Sequence, residues 1–254
     1  MKISKIDSRN HEIAKKLALS GKSLSFDDKY FILENYNAAA TNLISKNAAY
    51  FTPPLIAREM TLECYDEPDK RVLDLGAGIG CLSFFVYQKA KWWSRKNNIE
   101  IICIEQNPEY IEIGKTIVPE ATWICGDIFD EELIKSLGRF DEVISNPPYG
   151  IFPRTDWLYN YQSQFMVAEV AMKVSDHGVF LLAQADCPFQ YSGKKMYMEK
   201  TCTKYERFHK KTGIFFHMNC GIDLDPTKCD DYIFKNLNKN MLFEIVIVSK
   251  DEEL

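Results

Sequence analysis

From residue 70 onward the chain alternates short apolar runs with segments of helical spacing. Val72, Leu73 and Leu75 mark a buried strand, and residues 81–96 repeat apolar positions every three or four residues. The same alternation continues through a strand at 99–104, a helix at 108–117 and a strand at 122–125. A helix at 131–137, a strand at 141–145, a helix at 164–174 and a strand at 178–183 complete it, with Phe165, Ala168, Ala171 and Met172 on the helix's inner face. Strands alternating with helices predict an α/β fold, a doubly wound and mostly parallel sheet. Residues 241–248 form one more strong strand, and 214–218 are expected to pair with it as an antiparallel C-terminal edge. Upstream, residues 1–48 read as a helical extension. Ile13, Leu17 and Leu24 form one stripe, and a second segment runs from Tyr30 through Ala38 toward Ile44. Residues 49–254 form the α/β domain. It opens with a helix over 54–64, for which Thr52 is the expected N-cap and Pro53 and Pro54 suit the first turn.

Composition narrows the setting. The chain has 254 residues, of which 46% are hydrophobic, enough for one large core with an extension. No run approaches the roughly 18 apolar residues of a membrane span, and the N-terminus has no signal-peptide pattern, so a cytoplasmic protein with no membrane partner is expected. None of the 8 cysteines forms a Cys-x-x-Cys pair, which fits free thiols in a reducing compartment. Cys202, His209, His217, Cys220 and Cys229 match no zinc-site spacing, so no metal is expected. The net charge of −5 disfavours phosphate binding except through a local patch, a divalent cation or a partner. Such a patch lies at 194–211, where Lys194, Lys195, Lys200, Lys204, Arg207, Lys210 and Lys211 alternate with Tyr197, Tyr205 and Phe208.

Candidate chemistry sits at four strand ends, the edge where open α/β sheets bind ligands. Asp74-Leu75-Gly76-Ala77-Gly78-Ile79-Gly80 is strand, glycine turn and helix start. It departs from the dinucleotide fingerprint and lacks the lysine of a phosphate loop, and its acid suits a cationic ligand. Glu105 ends the next strand, where a carboxylate can accept from both hydroxyls of a ribose. Asp127 ends the third and is placed to accept from an adenine amino group, with Ile128 packing on the ring. The fourth ends in Asn146-Pro147-Pro148-Tyr149, whose prolines stop the strand and stiffen the projection of an amide and an aromatic ring.

This ordered set resembles the S-adenosylmethionine-dependent amino-methyltransferases, in particular the DNA adenine-N6 group with the cofactor motif ahead of the catalytic one. Phe51-Thr52-Pro53-Pro54 is similar to that group's motif X, the turn from Asp74 to Gly80 to motif I, and Glu105 and Asp127 to motifs II and III. Asn146-Pro147-Pro148-Tyr149 is similar to motif IV, and the likeness spans about residues 49–250. The resemblance implies a class I methyltransferase fold and S-adenosylmethionine as cofactor, held by Phe51, Thr52, Pro53, Asp74, Gly76, Gly78, Glu105, Asp127, Ile128 and Asn146. It also implies transfer to adenine N6, with Asn146 and the Pro147 carbonyl accepting the amine's hydrogens, Pro148 stiffening the loop and Tyr149 stacking on the base. A second aromatic wall is expected from Phe189 or Tyr191, with Phe189 preferred, and Lys194, Lys195, Lys200 and Lys204 are expected on the substrate backbone. The implied partner is nucleic acid, DNA first and structured or ribosomal RNA as the alternative. Protein glutamine methylation and a non-catalytic cofactor-binding subunit are further readings. Relatives in the DNA group usually carry a C-terminal recognition domain. Here selectivity is expected from residues 1–48, 150–163, 187–212 or 219–240, or from a protein partner.

Overall fold

The apolar run after residue 70 forms β1 (Arg71–Leu75), in which Val72, Leu73 and Leu75 are fully buried. The computed structural model describes residues 4–37, 50–67, 69–93, 98–149, 162–219, 221–235 and 241–252. Within these, β2 (Glu100–Glu105), β3 (Thr122–Cys125), β4 (Glu142–Ser145) and β5 (His177–Ala183) join β1 in parallel. A two-stranded hairpin, β6 (Phe189–Gln190) and β7 (Met198–Glu199), leaves the carboxyl end of β5. Then come β8 (Phe215–His217) and β9 (Phe243–Ser249), antiparallel to each other as expected. The order is β3-β2-β1-β4-β5-β9-β8. β9 therefore lies inside the sheet, paired along its whole length with β5, and β8 forms the outer edge. All seven residues of β9 are buried, which a strand covered on both faces requires.

Two cores flank the sheet, and strand alternation sorts residues between them. Val72, Ile101, Ile144 and Val179 face α1 (Lys5–Ala18), α2 (Phe26–Asn35), α3 (Pro54–Met60), α4 (Cys81–Trp93) and α5 (Pro108–Ile117). Leu73, Ile102, Val143 and Phe180 face α6 (Glu131–Ser136), α7 (Ser163–Val174) and α8 (Thr203–Thr212). Phe165, Ala168, Ala171 and Met172 point inward from α7 as the spacing predicted.

Several local expectations change. Ile13 is 43% exposed; the buried stripe of α1 is His11, Ala14 and Ala18, spaced for one helical face. α2 begins earlier than its apolar pattern, because Ser25 and Asp28 form a reciprocal capping box. Pro53 is the N-cap of α3, and the helix tightens to a 3-10 turn over Thr61–Glu63. Within the basic run only Thr203–Thr212 is helical; residues before it form the hairpin. The expected continuation of the second segment through 38–44 lies outside the described residues, as do 150–161, Cys220 and 236–240.

Candidate active site

Gly76, Gly78 and Gly80 take φ values of +74°, +57° and +85°, a left-handed path that side chains resist. The turn is braced by β2, since the amides of Gly76 and Ala77 both donate to the Ile104 carbonyl at 3.0 Å. The Gly78 amide donates to Glu105 Oε2 at 2.9 Å, and Asn107 donates to Oε1 at 2.8 Å. Burial raises the Glu105 pKa, and those two backbone amides oppose the rise. A Cβ on Gly78 would stand 3.1 Å from the Phe51 ring, so the turn and the Phe51 segment are in close approach.

Asp74 is 1% exposed beneath this turn. Ser83 Oγ donates to its Oδ2 at 2.6 Å, while Oδ1 is buried with no hydrogen-bond partner among the described residues. Burial pushes the Asp74 pKa up to about 7 against the pull of the Ser83 hydrogen bonds.

The loop after β4 converges on the same place. Asn146 Nδ2 donates to the Tyr50 carbonyl at 3.0 Å and to Thr52 Oγ1 at 2.9 Å. Thr52, expected as a helix cap, thus holds the amide of Asn146. The Asn146 Oδ1 accepts the Tyr149 hydroxyl at 2.6 Å, and that hydroxyl also reaches the Leu181 carbonyl at 3.2 Å. The Tyr149 ring is half-buried with Phe243 5.2 Å from it. Pro147 is buried, and Ser163 at the start of α7 donates to the Pro148 carbonyl. Strand ends, glycine turn and the Phe51–Pro53 segment therefore meet around Asn146.

The remaining expected residues differ in their surroundings. Asp127 is exposed, and its Oδ1 accepts the Phe129 amide at 2.9 Å; Ile128 packs partly against the core beside α6. Phe189 does not stand opposite Tyr149. It is 2% exposed in the core under α7 and α8, whereas Tyr149 packs with the core on the other face. An aromatic side chain at the start of a strand-pairing hairpin is drawn into the nearest core, which local sequence does not reveal. Tyr191, the other candidate, is half-buried. Lys200 donates to the Gln184 carbonyl at 2.5 Å, and Lys204 pairs with Asp186 at 2.8 Å, so both serve the fold. Lys194 and Lys195 are exposed and form no ion pair among the described residues.

Three contributors escaped the sequence reading. Tyr36, 2% exposed, lies 5.9 Å from the Phe51 ring and donates to Glu109 at 2.9 Å. Ser83 holds Asp74, and its place in the first turn of α4 was a legible signal. Glu244, a lone acid in the apolar run of β9, was another.

Comparison with known proteins adds a family. The model of the methyltransferase small domain matches residues 55–213. A curated protein of Methanosphaera stadtmanae, described as a ribosomal RNA small subunit methyltransferase A, is 34% identical over 122 residues, which are 47% of this chain and 41% of that protein. The chain thus matches about two-fifths of that relative's length. Among solved structures, a class I S-adenosylmethionine-dependent methyltransferase from Listeria monocytogenes superposes with TM-score 0.54 at 10% identity, covering 99% of this chain and 90% of that one. The modification subunit of a type I restriction enzyme from Vibrio vulnificus gives 0.55 at 11% identity, covering 89% and 50%. At these identities the likeness is one of fold.

Proposed function

The chain belongs to the methyltransferase small-domain family, its cofactor is S-adenosylmethionine, and from that premise we propose that it methylates the exocyclic N6 amine of adenine in structured RNA. The observation that carries the amine assignment is Asn146, whose amide is held by Thr52 and Tyr50 so that Oδ1 faces a hydrogen-bond donor. RNA is favoured over DNA by the relative whose name specifies ribosomal RNA. DNA is the second reading, favoured by the direct hydrogen bond between the Phe51-Thr52-Pro53 segment and Asn146, the pairing that the resemblance to the DNA group rests on.

The residues present fit the cofactor. The Oδ1 of Asp74, without a hydrogen-bond partner among the described residues, and the open space beside Gly76, where a Cβ would meet nothing within 4 Å, leave acceptor capacity and room where a cationic ligand would lie. Glu105 spends one lone pair of each oxygen on backbone amides and keeps the others for hydroxyls. Asp127, on the exposed loop after β3, brings a carboxylate to the end of that strand, where an amino group could be accepted. Phe51, Thr52 and Pro53 close the side facing α2, and Ile128 supplies apolar surface. Bound there, S-adenosylmethionine supplies a methyl already activated by its sulfonium.

The protein's own part is positioning and electrostatics. In the free enzyme the Tyr149 hydroxyl fills the Asn146 acceptor. An arriving amine takes that place, while Tyr149 keeps the Leu181 carbonyl and its ring remains available to the base edge-on or by stacking. The Pro147 carbonyl accepts the second N–H. Those two bonds draw the amine nitrogen toward a tetrahedral shape and free its lone pair for attack.

The test is methyl transfer from labelled S-adenosylmethionine to in vitro transcribed small-subunit ribosomal RNA and to unmethylated duplex DNA, with nucleoside identification by mass spectrometry. N6-methyladenosine in RNA is expected, reduced at least ~100-fold by Asn146→Ala. Product only in DNA would replace the RNA assignment with the DNA one. No methylated adenine in either would overturn the proposal.

A further inference from the structure

The hairpin after β5 combines a rigid root with a partly exposed apolar outer end. Its root is built on Glu244, which is fully buried in β9 opposite Leu182, one residue from the carboxyl end of β5. Glu244 Oε1 accepts Gln184 Nε2 at 2.7 Å, the Tyr191 amide at 2.7 Å and the Ser192 amide at 3.0 Å, and Oε2 accepts Ser192 Oγ at 3.0 Å. A buried carboxylate with four donors is well satisfied and fixes what it holds. Ser192 Oγ also receives the Leu224 amide at 3.0 Å, and the Gly193 amide donates to Asp223 at 2.8 Å. The Lys194 amide closes the turn on the Tyr191 carbonyl at 2.8 Å, and the returning strand is held where the Lys200 amide donates to the Pro188 carbonyl at 2.8 Å. Met196, Tyr197 and Met198 are 67%, 46% and 47% exposed, and Lys194 and Lys195 precede them.

Met196 and Tyr197 stand in the turn, Met198 follows as the first residue of β7, opposite Gln190, and the Tyr197 ring lies 5.9 Å from Phe189, so the outer end of the hairpin shows a half-exposed apolar surface on a braced base. Two adjacent lysines without ion pairs among the described residues mark the tip as locally cationic in a chain of net charge −5. The hairpin leaves β5 at the same sheet edge from which the Asn146 loop leaves the neighbouring β4. An adenine inside a paired stem cannot reach Asn146 without leaving its stack. Apolar wedges between base steps, with cations on the flanking phosphates, are one physical solution to that problem.

We propose that Met196, Tyr197 and Met198, at the outer end of this hairpin, form an unstacking wedge for a base-paired stem of RNA, with Lys194 and Lys195 on its phosphates. The proposal rests on the nucleic-acid reading of the active site. It assigns the wedge to substrate opening and not to methyl transfer, so its loss discriminates between paired and unpaired substrates.

The experiment compares wild type with the triple variant Met196→Ser, Tyr197→Ser, Met198→Ser. The substrates are in vitro transcribed small-subunit ribosomal RNA, folded, and the same RNA fragmented into short unpaired pieces, with duplex DNA as a further arm. Cofactor affinity, read by calorimetry, is expected to stay the same, since none of the three side chains belongs to the glycine turn, the strand-end acids or the Phe51 segment. Methylation of folded RNA is expected to fall at least tenfold, with methylation of the fragments within twofold of wild type. A second variant, Lys194→Gln with Lys195→Gln, is expected to lower the salt dependence of RNA binding by about two counterions. Equal loss on both RNA forms, or no loss on either, overturns the wedge. Wild-type activity on duplex DNA alone overturns its assignment to RNA. A wild-type protein that methylates no nucleic acid overturns the reading beneath it as well.

Discussion

Asp74 illustrates how one side chain can carry both binding and stability. Its folded pKa, about 7, lies above the usual carboxylate value of 3.8, because burial disfavours the charge more than Ser83 stabilises it. The folded protein therefore holds this proton more tightly than the unfolded chain. The resulting stabilisation is complete below about pH 4 and disappears as pH rises through about 7. Asp74→Asn keeps the Ser83 partner and removes the titration. Relative to this variant, wild type is expected to lose stability between pH 4 and 8, by at most about 4–5 kcal/mol at about 1.4 kcal/mol per pKa unit. Denaturant unfolding of both proteins across that range measures it, and parallel curves would refute the assignment. The acid at the end of β1 was legible in the sequence. Its protonation was not, because that depends on the packing above and below it.

Among elements, α5 shows a local rule overruled by a contact. Gly114 stands inside this helix, where alanine would ordinarily gain about 1 kcal/mol. A Cβ there would meet the Trp123 ring at 2.1 Å, and the same ring lies 3.0 Å from a Cβ placed on Gly80. Trp123 is anchored by its indole nitrogen on the Val118 carbonyl at 3.2 Å, so it cannot simply swing away. Gly114→Ala is expected to lower stability by about 1–3 kcal/mol through overpacking, seen as a lower melting temperature. An unchanged or higher value would show that the ring yields. Elements as such were well read in advance: α5 and β3 have the predicted bounds, and β1, β2, β4 and β5 differ from them by a residue or so. The hairpin was missed, since β6 and β7 are two residues long and their pairing is held by Glu244, Gln184 and Ser192, not by a local pattern.

At the scale of the molecule, the N-terminal helices are joined to the edge proposed to hold the cofactor. Tyr36 packs at 5.9 Å from Phe51 and 6.4 Å from Tyr110, and Phe51 abuts Gly78. Glu109 collects Tyr36 and Lys15, which pairs with it at 2.7 Å and helps hold its carboxyl below the usual range. A cavity of about 140 Å³ opens beside Phe51 and Thr52, walled by Tyr30 and Tyr36 of the extension. The extension thus backs the wall that faces the glycine turn. Tyr36→Ala is expected to weaken S-adenosylmethionine binding tenfold or more, measured by calorimetry. Tyr36→Phe, which keeps the ring, is expected to bind normally and to lose about 1 kcal/mol of stability. Equal affinities for the two variants would separate the extension from the site.

The alternation of apolar runs and helical spacing was enough to establish the parallel α/β class, because buried strands and amphipathic helices each impose a period readable over a few residues. The strand-end acids, the glycine turn and the Asn146 loop were likewise visible, since each is local and each sits where a strand stops. Position in space was another matter. That Thr52 would hold Asn146 and leave the helix cap to Pro53, and that Phe189 would enter the core on the other face of the sheet from Tyr149, depend on partners far away in the chain, and the meeting of Tyr149 with Asn146 Oδ1 depends on the loop path those partners set. The place of β9 between β5 and β8 was decided in the same way, by long-range pairing that leaves no periodic trace in either strand.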